Sequence, residues 1–158
     1  MVRRSPTSFR AAASDSARVT AAYFDSSAIV KLYADELHHE SVRARTEARV
    51  CTSLARVEVT AAFYGKARSG ELSRVEADVL NQVFIADWVE GQFLPIRPDE
   101  HIETEAARLA SAYLLRGFDA VHLATATAAR TVIAELTLFV CFDQRLSDAA
   151  VVEQFQLL

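Results

Sequence analysis

The sequence is poor in the residues that build special scaffolds: two cysteines, three prolines, four glycines and one tryptophan among 158 residues. Two cysteines, Cys51 and Cys141, cannot make a disulfide framework or a four-ligand zinc site. They read as buried free thiols in a reducing, cytoplasmic setting. So little glycine and proline excludes collagen-like repeats, and a 51% hydrophobic share excludes global disorder. No apolar run approaches the ~18 residues that span a bilayer, so the sequence reads as soluble, with no membrane partner. A glycine-rich phosphate cradle is also lacking, which removes nucleotide-triphosphatase and dinucleotide-binding readings. Finally, there is no cationic excess. The net charge of −4 argues against a protein that grips nucleic acid by bulk positive charge.

What is present suits one domain, since domains cluster at about 100–150 residues. The charge is uneven. Residues 1–20 hold four arginines against Asp15 alone, a net +3, which leaves −7 on the remaining 138 residues. This Arg/Ser/Ala-rich head could be a flexible tail, an organelle-targeting peptide or upstream sequence read from an early start codon. It lacks the apolar core of a secretory signal. We read residues 1–18 as a basic flexible tail and 19–158 as the domain.

Periodicity gives the architecture. Val19–Phe24 is a short buried strand, and Ser26 and Ser27 offer caps for a helix over 28–34. The charged stretch 36–49 reads as an exposed helix, and 50–52 as a second strand. Leu54, Val57, Ala61, Ala62 and Gly65 recur at helical spacing in a segment that closes near Gly70. Val75, Val79, Leu80, Val83, Phe84 and Trp88 share a stripe of the next helix. A strand at 93–96, a helix from Asp99 to Arg116 stopped by Gly117, and an almost wholly apolar helix over 119–130 follow. Leu136–Phe142 is the clearest strand, and a short helix and FQLL close the chain. Alternating strands and helices predict an α/β sandwich around a mainly parallel sheet.

Acids stand where chemistry is expected. Asp25 and Asp143 end the two best strands, and ligands of open α/β sheets bind beyond the carboxyl ends of strands. Glu58 lies inside the apolar stripe of its helix, which is costly for a carboxylate unless it is paired or bound to metal. Asp119 opens the most apolar helix. Four acids from four elements could converge, and crowded carboxylates raise one another's pKa unless a cation neutralises them. Mg²⁺ or Mn²⁺, hard and oxygen-liking, is the natural partner, and such sites activate water for in-line attack on phosphate. The plainer readings are turn residues for Asp25 and Asp143, a helix cap for Asp119 and a solvent-facing strand position for Glu58.

The same residues carry a resemblance. DSSAIVKLY around Asp25, LARVEVTAAF around Glu58, LLRGFDAVHLATA around Asp119 and FVCFDQRL around Asp143 resemble PIN-domain ribonucleases, and within them the toxins of VapBC-type toxin–antitoxin pairs. The likeness runs from about Thr20 to the end. It implies a three-layer α/β/α sandwich and a Mg²⁺- or Mn²⁺-dependent endoribonuclease that hydrolyses RNA by metal-activated water. It also implies a homodimer and inhibition by a cognate antitoxin. By motif, Asp25 and Asp119 would be the main metal ligands, with Glu58 and Asp143 completing the cluster directly or through water. Ser26 and Ser27 would orient Asp25. Cys141 departs from the pattern, which often has Ser or Thr there, and exchanges a hydroxyl for a weak donor.

Arg116, Arg145 and Lys66 are the nearest cations in sequence to the acids and are candidates for phosphates flanking the scissile one. Tyr64 and Tyr113 could stack bases or simply pack. His122, one turn after Asp119, could donate to a carboxylate or shuttle a proton; we read it as a helix-surface or core histidine. The pair His38-His39 reads as a solvated face, and Ser26 lacks the partners of a nucleophilic triad. Two other classes stand beside the nuclease. A non-catalytic RNA- or protein-binding module would have lost acids that are all present here. A dehalogenase-like phosphatase would need an acid at Ser27. With up to four negative charges in one cluster, the acidity fits a substrate reached through a divalent ion.

Overall fold

The computed structural model describes residues 20–158, so the basic head at 1–18 lies outside the described residues. Five strands form one sheet in the order β3-β2-β1-β4-β5, and every neighbouring pair is parallel. They are β1 (Ala21–Phe24), β2 (Ala48–Thr52), β3 (Phe93–Ile96), β4 (Leu138–Val140) and β5 (Gln156–Leu157). The chain builds outward from β1 to β2 and β3, then returns to β1's other side with β4 and β5. This reversal opens a crevice beyond the carboxyl ends of β1 and β4. Pro95, which cannot donate to a ladder, sits in β3 at the sheet edge, where it is tolerated.

Side chains of β1 alternate between two layers, as the twofold period of a strand requires. Ala21 and Tyr23 face a core with α5 (Glu100–Tyr113), α6 (Gly117–Val132) and α7 (Gln144–Val152). Ala22 and Phe24 face the opposite core with α1 (Ser26–Tyr33), α2 (His39–Arg43), α3 (Ala55–Ser69) and α4 (Arg74–Val89). The three-layer α/β/α fold is thus as the motifs imply. The second core is aromatic. Phe84 meets Tyr33, Phe63, Trp88 and Phe93 in edge-to-face contacts. Each such pair is worth about 0.5–1.5 kcal/mol beyond burial.

Several sequence expectations shift. The exposed helix over 36–49 shrinks to α2, because His38 turns into the left-handed region and β2 already begins at Ala48. Helix α3 buries Ala55, Val59 and Phe63, while Val57 is exposed. Helix α4 likewise buries Ala77 and Phe84, leaving Val75, Val79 and Val83 outward. Its start is secured by a capping box between Ser73 and Glu76. Helix α5 ends at Tyr113, before Gly117. Leu114 takes the left-handed conformation at φ 54°, and its carbonyl accepts a bond from Arg145 Nη1 at 3.0 Å. Gly117 instead begins α6. Gly70, at φ 82°, closes α3 as expected, in a conformation that costs a glycine little.

Candidate active site

Two corners of the sheet carry the first pair of acids. At the end of β1, Asp25 donates its backbone N–H to Val140 O of β4 at 3.1 Å. Its Oδ1 accepts the Ala28 N–H at 2.8 Å and the Ser27 hydroxyl at 2.7 Å, so Asp25 itself caps α1, not Ser26 or Ser27. Ser27 in turn accepts the Phe142 N–H at 3.0 Å, tying this corner to the chain after β4. There Asp143 caps α7, its Oδ1 accepting the Leu146 N–H at 2.9 Å. Both aspartates cap through Oδ1, leaving a second oxygen for other work. They differ in burial. Asp143 is exposed, whereas Asp25 is 5% exposed, and burial pushes its carboxyl up to about 6 despite the bonds from Ser27 and Ala28.

Glu58, in the first turn of α3, is half-buried and takes two bonds on one oxygen. Oε2 accepts the Ser26 hydroxyl at 2.8 Å and lies 2.8 Å from His122 Nε2. Ser26 therefore serves Glu58, and only Ser27 orients Asp25. His122 is 2% exposed, and its Nδ1 meets the Tyr23 hydroxyl at 3.0 Å. Tyr23 also accepts the Thr52 N–H at 3.1 Å. His122 is thus a core histidine, one of the two plain readings, but its bonds to Tyr23 and Glu58 go beyond packing. The available signal was that α6 is apolar nearly all round, so a histidine on it is buried and needs partners.

Asp119 is the third residue of α6, not its cap; Arg116 holds the cap position without a side-chain bond. Burial, then the charge of Asp143 with a contribution from Glu58, raises the Asp119 carboxyl above the usual range, while Arg116 pulls it down. The four acids are therefore electrostatic neighbours. An open groove of about 670 Å³ is lined by Glu58, Arg116, Gly117, Phe118, Asp119 and Val121. Arg116 and Phe118 are exposed along it.

The other cations are placed differently. Lys66 is held by Glu36 at 2.5 Å and Glu71 at 2.9 Å, so the structure does not bring it to the acids as a free phosphate contact. Arg145 is exposed and bonded to Leu114 O. Tyr64 and Tyr113 donate to Asp78 and Glu153, which favours their packing role. Cys141 does not reach the Asp143 carboxylate. Its Sγ lies 3.0 Å from Ser147 Oγ and 3.5 Å from Asp143 O, and burial pushes the thiol up to about 12. His38 and His39 diverge, one stacking on Phe142 and the other meeting Glu36 O.

The chemistry of this donor set fits a hard divalent cation. The four carboxylates are linked electrostatically, Asp25 to Glu58 and Asp119 to Glu58 and Asp143, and among the described residues none forms an ion pair with Lys or Arg. No three His, Cys, Asp or Glu side chains among them close into a ready-made cage. Mg²⁺ does not require one, because it keeps several waters and commonly binds through one or two carboxylates plus substrate phosphate.

Comparisons with known proteins give the family. The PIN domain family model matches residues 22–152. The chain is 36% identical over 109 residues to Ribonuclease VapC45 of Mycobacterium tuberculosis strain CDC 1551, covering 67% of this chain and 74% of that protein. The same figures hold for Ribonuclease VapC49 of Mycobacterium tuberculosis strain H37Rv.

Proposed function

The chain belongs to the PIN-domain family, and on that premise we propose that it is a metal-dependent endoribonuclease, the toxin of a type II toxin–antitoxin pair. The observation that carries the reading is Asp25: a carboxylate almost wholly removed from water, close to further acids and, among the described residues, in no ion pair with Lys or Arg. A buried charge persists only when something compensates it. Asp25 and Asp119 would hold Mg²⁺ or Mn²⁺. When bound, the ion lowers the pKa of water and offsets charge on the phosphate.

The protein's own groups do the rest. Glu58 keeps Oε1 clear of the Ser26 and His122 bonds, so that oxygen is able to orient the attacking water and accept its proton. Asp143, exposed at the crevice mouth, completes the negative cluster. Arg116 contacts a phosphate beside the scissile one, and Phe118 borders the same groove. Water attack at phosphorus with loss of the 3′ oxygen leaves 5′-phosphate and 3′-hydroxyl ends. The 2′-hydroxyl takes no part, so preference for RNA comes from shape. Working in the cytoplasm, the protein would be inhibited by a cognate antitoxin and act as a homodimer. The outward valines of α4 offer apolar surface for such contacts. Among the described residues no helix is long and apolar enough to cross a membrane.

The test is cleavage of a structured RNA by the purified protein with Mn²⁺ or with EDTA, followed by end analysis. The reading expects 5′-phosphate ends with Mn²⁺ and no scission with EDTA. EDTA-resistant cleavage, or cyclic-phosphate ends, would overturn it. Binding without scission in Mn²⁺ would mark a non-catalytic module.

A further inference from the structure

The one histidine buried at the site sits in a hydrogen-bond chain whose directions are fixed by proton counting. Tyr23, Thr52 and His122 are 0%, 0% and 2% exposed, so water does not alter the count at the Tyr23–His122 end, whereas Ser26 and Glu58 at the other end are half-buried. The Thr52 N–H occupies one side of the Tyr23 hydroxyl as a donor at 3.1 Å. Tyr23 has a single proton, and His122 Nδ1, at 3.0 Å, is the acceptor facing it. At the other end, Ser26 spends its only proton on Glu58 Oε2 at 2.8 Å. His122 Nε2 thus faces Glu58 Oε2 at 2.8 Å and Ser26 Oγ at 3.1 Å, neither of which has a proton left to give. Nε2 must carry the hydrogen and Nδ1 must accept.

We propose that Tyr23 fixes His122 with Nδ1 as the acceptor and Nε2–H facing Glu58, and that His122 is a positioning residue for Glu58. The chain runs Thr52 N–H to Tyr23 O–H to His122 to the Glu58 carboxylate, with every donor pointing the same way, so each bond polarises the next. It joins β2, β1, α6 and α3, and Ser26 adds α1. A side chain on the first turn of a helix is thereby pinned to the middle of the sheet. Such an arrangement resembles the partners that orient ligating groups in metal sites, whose loss costs roughly 10–100-fold in activity or affinity. This role rests on the reading of Glu58 as the group that handles the attacking water, although the tautomer lock itself does not.

Two measurements separate these. Nitrogen-15 NMR of the metal-free chain at neutral pH, with the ring signals assigned by loss in His122→Leu, should show Nδ1 unprotonated and Nε2 bearing hydrogen. In Tyr23→Phe a Nδ1–H population should appear. A protonated Nδ1 in the unaltered protein would overturn the lock. In RNA cleavage, His122→Leu should lower kcat by roughly 10–100-fold with KM little changed. His122→Gln, which returns an N–H donor toward Glu58, should recover most of the loss, with thermal melts confirming that both variants fold. Unchanged kcat in His122→Leu, or equal loss in the Leu and Gln variants, would overturn the positioning role. Asp25→Asn, run alongside, distinguishes the two failures: its full activity would sink the nuclease reading itself.

Discussion

The corner after β1 and the corner after β4 are built alike. Each ends a parallel strand with an aspartate, each aspartate caps the next helix through Oδ1, and the strands are neighbours at the reversal of strand order. Their electrostatics nevertheless diverge. Asp25 is 5% exposed and its carboxyl rises to about 6, whereas Asp143 is exposed to solvent. Equal local geometry therefore does not imply equal chemistry. Depth in the fold separates the two acids: one carboxylate is removed from water, the other is hydrated.

The comparison can be broken most severely by exchanging each acid for its amide. Asp25→Asn should reduce RNA cleavage by roughly a thousandfold or more, the scale seen when a central group of a catalytic unit is removed. Asp143→Asn should cost roughly 10–100-fold. Rates that fall equally would erase the proposed distinction.

Stability should separate the corners in the opposite direction. The folded chain binds the Asp25 proton more tightly than the unfolded chain. Stability from this group is therefore full below the ordinary carboxyl pKa and is lost as pH rises. Between the unperturbed 3.8 and about 6 the loss is about 3 kcal/mol in metal-free protein. Asn caps a helix as well as Asp does. Asp25→Asn should accordingly stabilise the metal-free chain by about 2–3 kcal/mol at neutral pH, and hardly at all at about pH 4. Urea unfolding at both pH values measures this, and a variant less stable at neutral pH would count against the buried charge. Asp143→Asn should stay within ~0.5 kcal/mol at either pH. The smallest effect is electrostatic: removing the Asp143 charge should lower the Asp119 carboxyl pKa, read by carbon-13 NMR titration. No change would mean that the two acids are not coupled.

Much of this was legible in the sequence because strand ends are marked by abrupt transitions. YFD and VCFD pass from apolar to acidic in one step, and topology then places both ends at one edge. Helix faces were less legible. In α4 two apolar rows lie side by side, Ala77-Leu80-Phe84-Trp88 inward and Val75-Val79-Val83 outward, and periodicity alone cannot choose between them. In α3 the alanines blur the stripe in the same way, which is why Val57 was placed inside. The Glu58 network was hidden for a different reason. Its members are neighbours only through the fold, His122 lying 64 residues from Glu58 and 99 from Tyr23. Lys66 shows the converse, since proximity to Glu58 along α3 does not prevent its capture by Glu36 and Glu71.

The central claim is that the buried Asp25 carboxylate is the anchor of a divalent-cation site. Calorimetric titration of Mn²⁺ into metal-free wild-type, Asp143→Asn and Asp25→Asn protein tests it directly. The account predicts saturable binding to the wild type, weakened binding to Asp143→Asn and none to Asp25→Asn. Undiminished binding to Asp25→Asn would contradict it.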